Sequence, residues 1–274
     1  MRPVDAAMAI AQAHGIEVTQ PLLLRSTNNT VVRLPPRPLV AKVSDRLDNR
    51  LAFELEVGQL LKRAGAPVGV PDPDLGAQVH EHRGHFVTFW RYLEPDAQPG
   101  AETALADALS HFHQRARALE KLGGIPLPPF DQGASDVRRR LDDPAFAQAL
   151  TSDERSLLRR TLDASDLASE GEGFVLHGSP HGYNIVWVRG DPIFVDLESA
   201  CAGPIEWDLA HLDPLIAAAY PRKINPDLLA TCRTAIAACT AAWCMDGIDR
   251  GPDMEWHARA HLASVSRWEG RNPR

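Results

Sequence analysis

The sequence predicts an α+β fold in two lobes, a small β-rich N-terminal lobe over residues 1–93 and a mainly helical C-terminal lobe over residues 94–274. Three observations carry this. Short β-branched runs cluster before residue 93, and long helical patterns dominate after residue 100. One strand–loop–strand–turn–strand segment, Gly173–Pro204, interrupts those helices. Two lobes with a cleft between them are a common place for a ligand.

Taken in order, the opening MRPVDAAMAIAQAHGIE has Asp5 and His14 inside its apolar pattern and no small-residue cleavage site. It reads as a short amphipathic helix and not as a signal peptide. Val31–Leu34 and Leu39–Val43 read as strands around the corner Pro35–Pro38. Leu51–Ala64 has helical periodicity, stops at Gly65 and meets Pro67 just beyond. Gly84–Leu93 reads as a strand and leads into a Pro/Gly stretch, EPDAQPG. Leu105–Leu122 and Ser152–Leu167 are helical by pattern. Gly173–Pro204 divides into a strand (FVL), a loop (HGSPHGY), a strand (NIVWV), a turn at Arg189–Asp191 and a strand (PIFVD). Helices resume at Ile205 and run to about residue 267.

Composition bounds the function. Hydrophobic residues at 44% and charged ones at 24% fit a globular protein and exclude global disorder. Twenty-nine basic against 36 acidic residues, net charge −7, argue against a nucleic-acid partner. No uninterrupted apolar run reaches the ~18 residues of a membrane span, the most apolar stretch, Leu228–Met245, being broken by Arg233. No membrane partner is expected, and a cytoplasmic enzyme or binding protein is the starting class. Cys201, Cys232, Cys239 and Cys244 form no CxxC pair and read as small buried apolar residues of a reducing compartment.

The densest chemistry lies in the hairpin. His177, Ser179, His181 and Asn184 share its loop, and Asp196 ends the following strand. The turn at Arg189–Asp191 folds the strands together, bringing an amide oxygen and a carboxylate to one sheet edge. Hard oxygen donors of that kind suit octahedral Mg²⁺. The plainer alternative is that both residues cap turns. Lys42 lies inside the apolar strand Leu39–Val43, where a basic side chain is costly unless paired or in reach of a ligand. Only four of the 29 basic residues are Lys, so a Lys here selects a compact point charge over a planar fork. Glu54 and Glu56 on the next helix are candidate partners; the alternative is an edge-strand Lys reaching water.

Together these residues resemble a known group. Lys in VAKV, Glu on the next helix, LHGSPHGYN (Leu176–Asn184), FVDLES (Phe194–Ser199) and GPIEWDLA (Gly203–Ala210) are similar, in order and spacing, to motifs of the aminoglycoside phosphotransferase and choline kinase superfamily. The resemblance covers roughly residues 22–220 and implies a protein-kinase-like fold. It implies ATP and Mg²⁺ as cofactors and a small-molecule hydroxyl as acceptor. Lys42 would hold the ATP phosphates, oriented by Glu54, which sits seven residues before Leu61 in the helix pattern. Asn184 and Asp196 would bind Mg²⁺. Asp208 would brace the catalytic loop near His177 and Gly178. Trp90, Arg91 and Tyr92 would offer backbone groups to adenine, and the short polar stretch around Ser26, Asn28 and Asn29 would cover the phosphates. The acceptor pocket would lie on helices of roughly residues 205–267, where Asp213, Asp246, Asp249, Asp253 and Glu255 could meet a cationic substrate. Oligomeric state is not legible.

The departure is Ser179, which stands where the superfamily carries its catalytic Asp. A hydroxyl orients an acceptor but is a poor base at neutral pH. His181 or Glu198 could substitute. Phosphoryl transfer proceeds through a loose transition state with little need of a strong base, so a slowed phosphotransferase and a nucleotide-binding protein without turnover both stand. No Walker A sequence occurs. Ser179 lacks the glycines of a hydrolase elbow, and neither HxxxH pair carries the glutamate of HExxH.

Overall fold

In the computed structural model, which describes residues 1–26, 29–46, 50–117, 125–147, 149–165, 173–246 and 252–271, the chain begins α1 (Pro3–Ala13), β1 (Leu22–Ser26), β2 (Thr30–Arg33), β3 (Leu39–Ser44) and α2 (Arg50–Arg63). It continues β4 (His80–His82), β5 (His85–Arg91), α3 (Glu102–Ala116), α4 (Gln132–Arg140), α5 (Pro144–Ala147) and α6 (Ser152–Ala164). Then come β6 (Phe174–Leu176), β7 (Ile185–Val188), β8 (Asp191–Phe194), β9 (Cys201–Gly203) and α7 (Ile205–Ala210). The last helices are α8 (Pro214–Ala219), α9 (Pro226–Asp246) and α10 (Pro252–Arg271). Packing divides the chain into one unit of Met1–Pro126, Ser179–Ala200 and Ala219–Pro221 and a second of Leu127–Gly178, Cys201–Ala218 and Arg222–Arg274.

The first unit is built on an antiparallel sheet of order β1-β2-β3-β5-β4. Side chains alternate between faces along each strand, and residues paired across strands share a face. The rank Val32–Ala41–Phe89, with Leu39, Val43 and Val87, turns to one side and is buried against Ala7, Ile10 and Ala11 of α1. The next rank, Val31–Lys42–Thr88, turns to the other. A period of two thus keeps Lys42 out of the α1 core while leaving it buried. Helix α2 buries Leu51, Glu54, Leu55, Gly58 and Leu61. A Cβ on Gly58 would lie 3.3 Å from the Trp90 ring, so the missing side chain sets how closely α2 approaches β5.

Hairpin β7–β8 turns through Arg189 (φ 55°) and Gly190 (φ 83°), the positive pair of a type I′ turn whose twist matches its strands. The Asp96 carboxylate accepts from both turn amides, at 2.9 and 2.7 Å, and these bonds hold it below the usual carboxylate range. Phe194 at the end of β8 is fully buried, its ring 5.6 Å from Phe112 of α3.

In the second unit α9 is central. Its Ala238, Cys239, Ala242 and Met245 pack with Ala134 and Val137 of α4, Leu158 and Leu162 of α6 and Ala258, Leu262 and Val265 of α10. Small residues let these helices approach closely. Despite Arg233, α9 is long and apolar enough by length and composition to cross a membrane, against the expectation from its interrupted apolar run. Of its most apolar window 56% is buried against its neighbours, the position of a core helix. All four cysteines are free and buried, and burial pushes the Cys239 thiol up to about 12, well away from reactivity.

Strands β1, β4 and β9 are additions to the elements expected from sequence. The last expected strand also stops early: Asp196 lies beyond β8 in the left-handed region (φ 65°). Residues 118–122, 166–167 and 247–251 of the expected helices lie outside the described residues.

Candidate active site

Lys42 is the centre of an ion-pair cluster. Its Nζ donates to Glu54 Oε2 at 2.8 Å, Asp196 Oδ1 at 2.6 Å and Glu198 Oε2 at 2.8 Å, so all three ammonium protons meet carboxylates. Lys42 is 5% and Glu54 2% exposed, so neither is compensated by water. Of the two acidic candidates on α2, Glu54 reaches the lysine; Glu56 is exposed. Arg25 on β1 adds a second cation, its Nη2 donating to Asp196 Oδ2 at 2.6 Å. Two cations therefore face three carboxylates.

The charges settle unevenly. Burial alone would lower the Lys42 pKa, but Glu54, Asp196 and Glu198 outweigh it and raise it. Burial would raise Asp196, yet Lys42 and Arg25 hold it down at about 2. Burial carries Glu54 up to about 7, with Lys42 opposing the rise and the Asp196 and Glu198 charges adding to it.

The β7–β8 ladder brings the Asn184 backbone to that of Val195, the residue before Asp196. The pair Ile185–Phe194 sets the register, and the Val195 amide donates to the Asn184 carbonyl at 2.9 Å, one residue short of Asp196. Asn184 Nδ2 donates to the Ser179 carbonyl at 3.0 Å and lies 3.4 Å from His181 Nε2. Its Oδ1 is buried with no hydrogen-bond partner among the described residues. A buried amide oxygen left without a donor is a cost that a cation would relieve. Asp196 keeps a left-handed backbone that costs a non-glycine residue about 1–2 kcal/mol, the kind of strain that concentrates at functional sites. The Asn184 amide oxygen and the Asp196 carboxylate are both hard oxygen donors, the ligand type that Mg²⁺ prefers. The sequence cluster Glu54, Asp196 and Glu198 also brings three carboxylate oxygens within 4.8 Å of one another, with Lys42 bonded to each residue.

Within the second unit, Asp208 of α7 is fully buried, its two oxygens accepting the amides of His177 at 2.9 Å and Gly178 at 2.8 Å. Trp207 Nε1 donates to the Gly178 carbonyl at 3.1 Å. Gly178 has φ 84°, a conformation that a side chain would strain. The segment leading into Ser179 is therefore fixed at successive backbone groups.

The remaining residues singled out from sequence are dispersed. Ser26 lies at an exposed position, its Oγ 3.5 Å from Thr30 Oγ1. Asn29 reaches the cluster, donating to Glu198 Oε2 at 3.1 Å, and Asn28 lies outside the described residues. At Trp90–Tyr92, the Arg91 amide donates to Val70 and the Tyr92 amide to Pro38, so these two donors are already engaged within the chain. Asp246 pairs with Arg140, Asp213 Oδ1 accepts the Leu215 amide at 2.8 Å, and Asp249 lies outside the described residues. Arg25 was missed from sequence: it follows three leucines and carries no motif.

A family model described as the phosphotransferase enzyme family matches residues 17–235. Among solved structures, the GDP and kanamycin complex of APH(2")-IIia is 15% identical over 97% of this chain and 99% of that one, with a TM-score of 0.74. A choline/ethanolamine kinase family protein from Mesorhizobium loti is 15% identical over 96% and 94%, with a TM-score of 0.68. Amicoumacin kinase hAmiN, in complex with AMP-PNP, Ca²⁺ and Ami, is 12% identical over 95% and 93%, with a TM-score of 0.72. No curated protein matches. At these identities the likeness is one of fold, and the fold is protein-kinase-like.

Proposed function

The chain belongs to the phosphotransferase enzyme family, and from that premise we propose that it transfers the terminal phosphoryl group of ATP to a hydroxyl of a small molecule. The observation that carries this is the buried pair of Lys42 and Glu54, 2.8 Å apart, with Asp196 2.6 Å from the same ammonium. A lysine so placed is a fixed point charge for phosphate oxygens, and Glu54 keeps it from collapsing elsewhere. Asn184 and Asp196 would hold Mg²⁺, which when bound neutralises phosphate charge and orients the transferred group. Asp208 would fix the loop from which Ser179 and His181 address the acceptor. Residues 1–93 would form the nucleotide-binding lobe and residues 94–274 the lobe that carries the catalytic-loop hairpin and the acceptor site, and the protein would act in the cytoplasm.

Relatives of this fold have been solved with GDP and with AMP-PNP, so the first experiment is a thermal-shift titration with ATP and with GTP, each with and without Mg²⁺. Nucleotide at 100 times its Kd adds about 2.7 kcal/mol, roughly 5–10 °C for a chain of this size. The expected shift requires Mg²⁺ and disappears in Asp196→Ala. Absence of a shift with either nucleotide sinks the reading.

A second reading, nucleotide binding without turnover, has its own support. Ser179 offers no carboxylate, Glu198 is held by Lys42 and Asn29, and His181 Nε2 lies 3.4 Å from the Asn184 amide nitrogen. A Mg²⁺-dependent shift with no phosphorylated product across a broad acceptor panel would decide for it.

A further inference from the structure

Strand β1 inverts the usual rule of burial. Leu22, Leu23 and Leu24 are 47%, 60% and 48% exposed, while the Arg25 side chain is only 30% exposed. The ladder explains the inversion. Leu23 pairs with Val32, so unbroken pairing would set Leu24 opposite Val31 and turn Arg25 to the other face. A bulge at Leu24 resets the register, and Arg25 pairs with Val31 instead. Val31 pairs with Lys42, so the bulge puts the arginine on the lysine's face of the sheet.

There the two cations divide one carboxylate. Lys42 takes Asp196 Oδ1 and Arg25 takes Oδ2, both at 2.6 Å. Asn29, from the same β1–β2 hairpin, holds Glu198 at 3.1 Å. The Arg25 contact uses Nη2 of a fork built to engage two oxygens of a phosphate. A divalent cation arriving alone would meet two positive charges on Asp196, and phosphates arriving alone would meet Asp196 and Glu198. Arriving together, each relieves the other.

We propose that Arg25 is a phosphate-binding residue which, in the ligand-free protein, is parked on Asp196, so that divalent cation and nucleotide bind as a coupled pair. This rests on the Mg²⁺ and nucleotide reading above. The test is calorimetric titration of wild-type, Arg25→Gln and Arg25→Lys protein with MgADP and, separately, with Mn²⁺ alone. Arg25 lies on an edge strand and is partly exposed, and unchanged melting of the ligand-free variants checks that they fold. In Arg25→Gln, MgADP is expected to bind about tenfold or more weaker, the loss of one charge-assisted contact. Mn²⁺ alone is expected to bind several-fold tighter, because half of Asp196 has been released. Arg25→Lys falls between on both counts. A purely structural arginine would move both affinities the same way, and that result, or no change in either, overturns the proposal. If wild-type protein binds no MgADP, the nucleotide reading falls and Arg25 with it, an outcome distinct from failure of the variant alone.

Discussion

Replacing Ser179 by Asp would put a carboxylate at the loop position where the superfamily resemblance expects one. The Ser179 carbonyl accepts from Asn184 Nδ2, so the backbone there is held whatever the side chain does. Ser179→Asp is therefore expected to change chemistry more than geometry. A general base typically contributes about 10²–10⁴ in rate, and a gain in kcat of that order, in steady-state assays with MgATP and a productive acceptor, is the expected result. An unchanged kcat would mean that residue 179 does not face the acceptor hydroxyl. The Lys42–Glu54 pair was legible in the sequence, because a lysine inside an apolar strand needs a partner. Arg25 was not: its approach to Asp196 depends on a bulge with no glycine or other marker, and on a partner 171 residues away.

A short element fixes the backbone that leads into Ser179. Helix α7 spans only Ile205–Ala210, yet both Asp208 oxygens and the Trp207 indole bind the His177–Gly178 backbone. Asp208→Ala leaves two buried amides without acceptors, at about 1–3 kcal/mol each. A loss of about 2–5 kcal/mol in urea denaturation is expected, with Asp208→Asn, which keeps one acceptor oxygen, losing less. Equal losses would show that only one of the two bonds matters. The elements legible in sequence were those with a clear pattern: α1, β2, β3, α2, β5, α3, α6, β6, the hairpin β7–β8 with its Arg-Gly turn, and the helices from Ile205, whereas α4 and α5 of the second unit were not. Strand β9 was not, because Cys201–Gly203 has no pattern and exists through its pairing with β6. Strand β4, His-Glu-His, is likewise defined by β5 beside it.

Acidification tests the charge cluster against the stability of the whole chain. Asp196 titrates at about 2 when folded, against roughly 3.9 unfolded. Between those values the unfolded chain binds the extra proton, so stability rises with pH there. The contribution is fully present above about pH 4 and lost as pH falls through 2, amounting to about 2 kcal/mol. Glu54 runs the opposite way. Raised to about 7 by burial, it keeps its proton when the unfolded chain, near 4.3, has lost it. Its contribution is present below about pH 4 and fades as pH rises through 7. Lys42, its pKa raised by the same carboxylates, stays charged across this range and adds no slope. The cluster is thus most stable near pH 4–5, on the acid side of a chain whose isoelectric point is near 5.9. Since association is favoured where net charge vanishes, the measurement is a comparison of variants at each pH. The stability difference between wild type and Asp196→Asn is expected to shrink by about 2 kcal/mol from pH 5 to pH 2. The stability of Glu54→Gln relative to wild type is expected to rise from pH 4 to pH 7, because a neutral side chain has no charge to bury. A wild-type curve parallel to Asp196→Asn below pH 4 would mean that Lys42 and Arg25 do not hold that carboxylate in the folded protein.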